Sequence, residues 1–247
     1  MWDESMAPIS ERPISERVVM VSGAARGLGR AIAARLYADG YTLSLGARDL
    51  RALESAHAAM DRARVLFHRH DAMDAKTGEA WVGATVARFG RIDGLVNNAG
   101  LLRQFTVEEA DGEALDAMWA VNAKGPMLLA RAAFPYLKKS GAGRVVNVSS
   151  LSGLRVRRLD FVGYSMTKFA LVALTHAIRQ EGWEHGIRAT AFCPSIIETE
   201  MSAGLGFPKG QALSPETAAD LVATVLSLPN TASIAELPVN VFAEPNY

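Results

Sequence analysis

The amino-acid sequence predicts one α/β domain, in which a doubly wound parallel sheet of about seven strands carries helices on both faces. Short apolar runs alternate along the chain with longer amphipathic stretches, an order typical of strands joined by crossover helices. The chain has 247 residues, 49% of them hydrophobic, which is enough for one large core. Neither a repeat nor a linker interrupts the alternation, so we expect a single domain.

The boundaries of the predicted elements follow from the same patterns. Apolar runs predict buried strands at residues 18–21, 42–45, 65–67, 92–96, 144–148, 188–192 and 234–239. Helical periodicity predicts helices at residues 28–38, 50–61, 76–89, 108–138, 163–183 and 215–227. Acids, prolines and serines before the first strand predict a mostly disordered polar lead at 1–17, followed by the domain at 18–247.

The composition argues against several classes of partner. The 26 Lys and Arg balance 26 Asp and Glu, so no basic excess favours nucleic acid. Cys193 is the single cysteine, and the 5 histidines show no metal-ligand spacing, so we expect no metal and assign the histidines to surfaces. No apolar run is long enough for a membrane span, and the first residues lack a signal-peptide pattern. We therefore expect a cytoplasmic protein.

A glycine-rich segment follows the first predicted strand and leads directly into a helix. Residues 22–29 read Ser-Gly-Ala-Ala-Arg-Gly-Leu-Gly. Glycine allows a tight turn and a close backbone approach, and a helix amino terminus attracts phosphate, so the segment predicts a dinucleotide pyrophosphate site. The alternative is a turn that only packs the helix on the strand. The candidate residues are Ser22, Gly23, Ala25, Arg26, Gly27, Leu28 and Gly29.

The glycine spacing resembles the loop of the short-chain dehydrogenase/reductase family, in which threonine usually stands at the position of Ser22. The resemblance covers roughly residues 18–201 and implies a Rossmann-like fold with a nicotinamide cofactor. It further implies adenosine contacts from Asp71, Ala72, Asn98, Ala99 and Gly100. The alternative for Asp71 is an ordinary turn residue. We expect the neighbouring Asn97 to tie adjacent strands together, because a buried amide needs partners.

The end of the second predicted strand indicates which nicotinamide cofactor is bound. Ala47 occupies the position where an NAD-preferring protein usually has a carboxylate. Arg48 follows it, and Arg26 lies in the glycine loop, so two guanidinium groups would favour a 2′-phosphate. We therefore favour NADP(H) over NAD(H). The alternatives are a solvated Arg48, with Asp49 only capping the next helix, or an Asp49 that turns to the ribose and selects NAD.

The candidate reaction centre combines Ser150, after the fifth predicted strand, with Tyr164 and Lys168, which share one helix face at a spacing of four. A nearby ammonium would lower the pKa of the phenol toward the range useful for acid–base catalysis. In the predicted reduction Tyr164 donates a proton to a carbonyl oxygen, Ser150 orients that oxygen, and Lys168 holds the nicotinamide ribose while NADPH supplies hydride. The alternative is an exposed tyrosine beside a solvated lysine.

Four further positions take their predicted roles from the family resemblance. It implies that Asn122 holds a helix bend and a water that relays protons to the lysine; a tolerated polar residue is the alternative. Gly125 and the proline after it favour such a bend. The resemblance also implies that Pro194, the backbone of Ile197 and the hydroxyl of Thr199 meet the carboxamide end of the nicotinamide.

The sequence patterns at the predicted substrate end do not identify a particular substrate. The glycine-rich residues 202–213 favour a short mobile lid. Loop 154–160 carries Arg155, Arg157 and Arg158, which would face an anionic substrate, a neighbouring subunit or, by default, water. Side chains suited to an apolar wall are Leu102, Leu151, Phe161, Met201, Leu205 and Phe207.

Together these residues predict an oxidoreductase that transfers hydride between NADP(H) and a small carbonyl or alcohol substrate. One alternative is an NAD-dependent alcohol dehydrogenase of the same family. Another is a non-catalytic dinucleotide-binding regulatory protein, for which a tuned phenol would have no use. The resemblance also implies a homodimer or homotetramer, formed through helices 108–138 and 163–183.

Overall fold

The computed structural model describes residues 12–206 and 211–243, and its centre is one parallel sheet of seven strands. The strands are β1 (Val18–Ser22), β2 (Thr42–Ala47), β3 (Val65–Arg69), β4 (Gly94–Asn97), β5 (Arg144–Val148), β6 (Arg188–Pro194) and β7 (Glu236–Val239). Their order across the sheet is β3-β2-β1-β4-β5-β6-β7, so the winding reverses between β1 and β4. The predicted doubly wound, Rossmann-like α/β fold is confirmed.

In the described part of the chain, seven α-helices surround the sheet. They are α1 (Gly27–Ala38), α2 (Leu50–Ala56), α3 (Ala75–Phe89), α4 (Gly112–Trp119), α5 (Gly125–Ser140), α6 (Val162–Gly182) and α7 (Pro215–Ser227). Side chains that cap helices α2, α3, α4 and α7 at their amino termini are Asp49, Asp74, Asp111 and Ser214. Within the described residues, no helix combines the length and the apolar character that a bilayer crossing requires.

The two faces of the sheet carry separate cores. Ile32 of α1, Leu53 of α2 and Val222 of α7 are buried in one cluster. Trp81 of α3 and Ile178 of α6 belong to the other, together with residues of α5. Because both faces of the strands are covered in this way, the sheet can be apolar throughout, which is why the strands appear as short unbroken apolar runs.

Two predicted helices differ from the structure. The helix predicted at 50–61 ends at Ala56, because the imidazole of His57 turns back to the carbonyl of Ala24, 2.9 Å away. The helix predicted at 108–138 begins only at Gly112 and contains a π-helical turn at Ala120–Lys124 before continuing to Ser140. The π-helical turn lies at the position where we expected a bend near Asn122.

The chain before β1 is only partly described. Within residues 12–17, Ile14–Glu16 forms a 3₁₀ turn, and Ile14 packs against the core on the α1 side. Residues 1–11 of the predicted polar lead lie outside the described residues, as do positions 207–210 of the predicted lid.

Candidate active site

A cleft of about 840 Å³ opens beyond the carboxyl ends of the strands, where the winding reverses. In open α/β sheets ligands bind at this position, because the loops that follow neighbouring strands diverge there. The cleft is lined by every residue that we predicted as a site residue except Ser22 and Asn122. It therefore brings the glycine loop and the candidate reaction centre into one space.

The glycine loop is packed so closely that two of its glycines cannot be replaced. Gly23 has a φ of 66°, and a Cβ there would lie 2.9 Å from the Cα of Ala99. A Cβ on Gly29 would overlap both the carbonyl oxygen of Gly23 and the amide of Asn98. The loop thus presents bare backbone at the amino terminus of α1, which suits a pyrophosphate.

Ser22 has a different position from the one we predicted. Its side chain is buried, and its hydroxyl accepts hydrogen bonds from the backbone N–H groups of Asn98 and Ala99, at 3.0 and 3.1 Å. The Asn98 side chain in turn donates to the carbonyl of Ser22 at 2.9 Å. These bonds fasten the end of β4 to the glycine loop, so Ser22 shapes the cleft from behind instead of lining it.

Two of the histidines assigned to surfaces are in fact buried. His57 supports the glycine loop through its bond to Ala24, and burial lowers its pKa. His70 lines the cleft with its ring 5.0 Å from that of Trp81, and burial lowers its pKa to about 4. Sequence reasoning missed both, because neither histidine belongs to a recognisable motif.

The end of the cleft where we predicted the adenosine carries two arginines, and Ala47 there offers no carboxylate. Ala47 ends β2 beside the cleft, and Arg26 and Arg48 line the cleft with exposed side chains. Asp49 also lines it, but its carboxylate accepts from the N–H of Ala52 at 3.0 Å, which confirms the helix-cap alternative. Across the described chain, neither of these two guanidinium groups has a hydrogen bond or an ion pair.

The other predicted adenosine contacts also border this end. Asp71 lines the cleft and accepts from the backbone N–H of Met73 at 3.0 Å, as a turn residue does. Ala72, Ala99 and Gly100 lie there as well. Beneath them, the Asn97 amide donates to the amide oxygen of Asn147 on β5 at 2.8 Å, which confirms the tie between strands.

Ser150, Tyr164 and Lys168 meet at the centre of the cleft. Tyr164 and Lys168 lie one turn apart on α6, and the ammonium is 5.5 Å from the centre of the phenol ring. Lys168 donates to the carbonyl oxygen of Val148, at the end of β5, at 2.7 Å. The Ser150 side chain lies close enough to Tyr164 to lower the pKa of its phenol. The helix spacing and the strand end thus place a hydroxyl, a phenol and an ammonium together.

Burial is the main cause of the pKa shifts of Tyr164 and Lys168. It raises the pKa of Tyr164, with the Ser150 hydrogen bond opposing the rise, and it lowers the pKa of Lys168 to about 8. The expectation that Lys168 lowers the pKa of the phenol is therefore wrong for the protein alone, because desolvation of the phenolate dominates. Tyr164 is held as a protonated phenol, which is the form that can donate a proton.

Asn122 lies in the π turn behind the reaction centre, and both the oxygen and the nitrogen of its side-chain amide are hydrogen-bonded. Its amide donates to the carbonyl of Leu101 at 2.8 Å and accepts from the N–H of the same residue at 2.8 Å. It also donates to the Thr167 hydroxyl at 3.0 Å. Asn122 therefore joins the loop after β4 to α6, the helix that carries Tyr164.

The segment after β6 closes the cleft on the side of the glycine loop. Pro194, Ile197 and Thr199 all line the cleft, as expected. The Thr199 methyl lies 3.2 Å from the position of a Cβ on Gly27. The hydroxyl of Ser202 accepts from the N–H of Thr199 at 3.1 Å and so fixes the turn.

Two arginines of loop 154–160 line the cleft, and one of them is also paired within the loop. Arg157 and Arg158 line the cleft, together with the apolar side chains of Phe161 and Leu205. Arg158 binds the Asp160 carboxylate through two nitrogens, at 2.9 and 2.7 Å, and donates to the carbonyl of Leu205 at 3.0 Å. The loop is thus tied to the described start of the predicted lid.

Similarity to known proteins agrees with this geometry. The family model of short chain dehydrogenases matches residues 17–207, and the chain belongs to this family. It is thereby an NAD(P)-dependent oxidoreductase domain.

One curated relative that this chain matches is a longer protein. The chain is 42% identical over 219 residues to an agropine synthesis reductase of Rhizobium rhizogenes, covering 88% of this chain and 50% of the relative. It therefore spans about half the length of that curated relative.

Two solved structures share the fold. An alcohol dehydrogenase of the archaeon Thermococcus sibiricus, complexed with 5-hydroxy-NADP, has a TM-score of 0.84 at 31% identity, covering 94% of this chain and 99% of that one. A 3-ketoacyl-(acyl-carrier-protein) reductase of Brucella melitensis, complexed with NADH, has a TM-score of 0.83 at 27% identity, covering 90% and 96%. The family thus includes members solved with either cofactor type.

Proposed function

We propose that the protein is an NADP(H)-dependent carbonyl reductase or alcohol dehydrogenase acting on a small molecule. The observation that carries this proposal is the junction of Ser150, Tyr164 and Lys168 with the glycine loop in one cleft. A protein that only bound a dinucleotide would have no need of a buried phenol beside a serine and a lysine at that junction.

Each residue of the centre has a role that its surroundings support. Tyr164, held protonated by burial, donates its proton to the carbonyl oxygen of the substrate. Ser150 hydrogen-bonds the same oxygen and orients it, and Lys168 compensates the phenolate that forms. The bound nicotinamide supplies or accepts the hydride. Alcohol oxidation reverses these proton movements.

The residues present fit a dinucleotide with a 2′-phosphate. Bare glycine backbone meets the pyrophosphate, and Arg26 and Arg48 offer guanidinium groups to the 2′-phosphate. The carboxylate of Asp49, which would otherwise bind a ribose hydroxyl, is committed to the cap of α2. These features support NADP(H) over NAD(H).

Two coarser proposals concern the whole molecule. We propose a homodimer or homotetramer, which is supported by exposed apolar side chains such as Met127 on α5 and Phe169 on α6. A cytoplasmic location is supported by the single buried cysteine, Cys193, which needs no oxidising compartment.

The function is tested by following the absorbance of reduced nicotinamide with a panel of ketones, aldehydes and alcohols, each tried with NADP(H) and NAD(H). We expect turnover with members of the panel and faster turnover with the phosphorylated cofactor. Faster turnover with NAD(H) would favour the NAD-dependent alternative. Tight cofactor binding without turnover of any compound would favour the regulatory alternative.

A further inference from the structure

The charges that line the cleft are unevenly distributed. Among the described residues, the carboxylates that line it are Asp49, Asp71 and Glu200. The first two border the adenosine end, and the Glu200 carboxylate lies 3.5 Å from the position of a Cβ on Gly27, beside the glycine loop. Beyond the reaction centre, the charged side chains of described residues that line the cleft are those of Arg103, Arg157 and Arg158.

Asp160, a described acid on the same loop, is paired with one of these arginines. Asp160 is bound by Arg158 through two nitrogens and by Gln104 at 2.6 Å, and its pKa falls to about 2 mainly through the Arg158 hydrogen bonds. Arg158 thus pairs with Asp160, and Arg103 and Arg157 are the other described charged side chains that line this end of the cleft.

Arg157 is the arginine positioned next to the nicotinamide segment. Its Nη1 lies 3.4 Å from the Ser195 hydroxyl, one residue after Pro194, and its guanidinium lies over the Phe242 ring at 4.9 Å. A guanidinium over an aromatic face keeps in-plane N–H donors for a planar anion. Burial and the charge of Arg155 lower the pKa of Arg157, so an anion beside it would relieve an unfavourable positive charge.

We propose that the substrate of this cleft carries a carboxylate, which Arg157 binds while the carbonyl or alcohol carbon faces Tyr164. The proposal rests on the proposed function and adds the substrate class to it. Apolar side chains at the same end, including those of Phe161 and Leu205, would contact the carbon chain between the two groups. A bidentate guanidinium–carboxylate pair supplies both affinity and orientation.

The proposal is tested first by binding, with no turnover required. Benzoate and benzamide, which differ in charge but hardly in shape, are titrated into the protein saturated with NADP⁺. We expect benzoate to bind about tenfold to a hundredfold more tightly. Arg157→Gln should abolish that preference, and Arg157→Lys should keep part of it, because lysine retains the charge without the planar fork.

Arg155→Gln is the matched control, since Arg155 lies on the same loop but does not line the cleft. It should keep the preference for benzoate. Equal binding of benzoate and benzamide to the unaltered protein, or an unchanged preference in Arg157→Gln, would overturn the proposal. A loss of NADP⁺ affinity in Arg157→Gln would do so too, because it would assign Arg157 to the cofactor.

A second measurement separates this proposal from the function on which it rests. Turnover of 4-oxopentanoate is compared with that of its methyl ester, and we expect Arg157→Gln to raise KM for the acid by about tenfold or more with little change for the ester. A benzoate preference that depends on Arg157, without reduction of either compound or of the wider panel, would preserve the anion site and refute the carbonyl-reductase function. Reduction of the acid and the ester with equal efficiency would support the carbonyl-reductase function and refute the anion site.

Discussion

The cofactor end of the cleft consists largely of backbone, whereas the substrate end consists of long side chains. At the first, Gly23 and Gly29 leave no room for a Cβ, and buried hydrogen bonds from Ser22 and Asn98 hold the loop. At the second, the contacts come from side chains such as Arg157, on a loop held by ion pairs and carbonyl bonds. The first arrangement tolerates almost no change in sequence, and the second can be altered residue by residue to suit another substrate.

Tyr164, where the two ends meet, should show the largest effect of a single substitution. Tyr164→Phe removes the proton donor without changing the shape of the cleft, so we expect turnover to fall by about a thousandfold. The affinity for NADPH, measured by fluorescence titration, should stay within about twofold. Tyr136→Phe, on α5 and outside the cleft, is the control and should leave both values unchanged. Turnover that survives in Tyr164→Phe would assign the acid to another residue.

The rigidity of the cofactor end is tested by Gly29→Ala. Its methyl group would overlap the Gly23 carbonyl and the Asn98 amide, so we expect a loss of about 3 kcal/mol in unfolding free energy and much weaker cofactor binding. Gly83→Ala is the control, because nothing lies within 4 Å of a Cβ there and an alanine in helix α3 should stabilise by about 0.5–1 kcal/mol. Denaturant unfolding measures both. Equal stability of the two variants would contradict the close packing of the loop.

The chemistry of the adenosine end is tested by Arg48→Ala. We expect the dissociation constant for NADPH to rise by about tenfold to a hundredfold and that for NADH to change little, since only NADPH offers the 2′-phosphate. Arg51→Ala removes the same charge three residues later, outside the cleft, and should spare both. Equal weakening of NADPH and NADH by Arg48→Ala would remove the case for a phosphate contact.

The buried histidine of the adenosine end predicts a dependence of stability on pH. His70 has a folded pKa of about 4 against an ordinary value of 6.5, so the unfolded chain takes up its proton first as the pH falls. Its stability contribution is fully present above pH 6.5 and is lost as the pH falls toward about 4, by about 3 kcal/mol in all. His70→Gln should remove that loss, whereas His185→Gln, at an exposed histidine, should not. An unchanged pH profile in His70→Gln would contradict the burial of His70.

The difference between the two ends of the cleft also explains which features could be predicted from the sequence. The strand order and the glycine loop could be predicted, because buried parallel strands require apolar runs and a pyrophosphate requires backbone without side chains. The positions of Tyr164 and Lys168 could be predicted as well, because helical spacing fixes which residues share a face.

The remaining features depend on contacts between distant parts of the chain. The His57 imidazole meets a carbonyl 33 residues away in the sequence. Arg157 reaches the cleft only because loop 154–160 folds against Ser195 and Phe242. The pKa of Tyr164 follows from its burial, which no local pattern encodes. Sequence spacing therefore predicted which groups meet, but not how desolvation changes them.

The most direct test of the central claim is a crystal structure of the protein grown with NADP⁺. We expect a nicotinamide ring facing Tyr164, a ribose beside Lys168 and a 2′-phosphate within hydrogen-bond distance of Arg26 or Arg48. An ordered dinucleotide whose nicotinamide lies elsewhere, with Tyr164 and Lys168 directed away from it, would contradict the proposed catalytic centre.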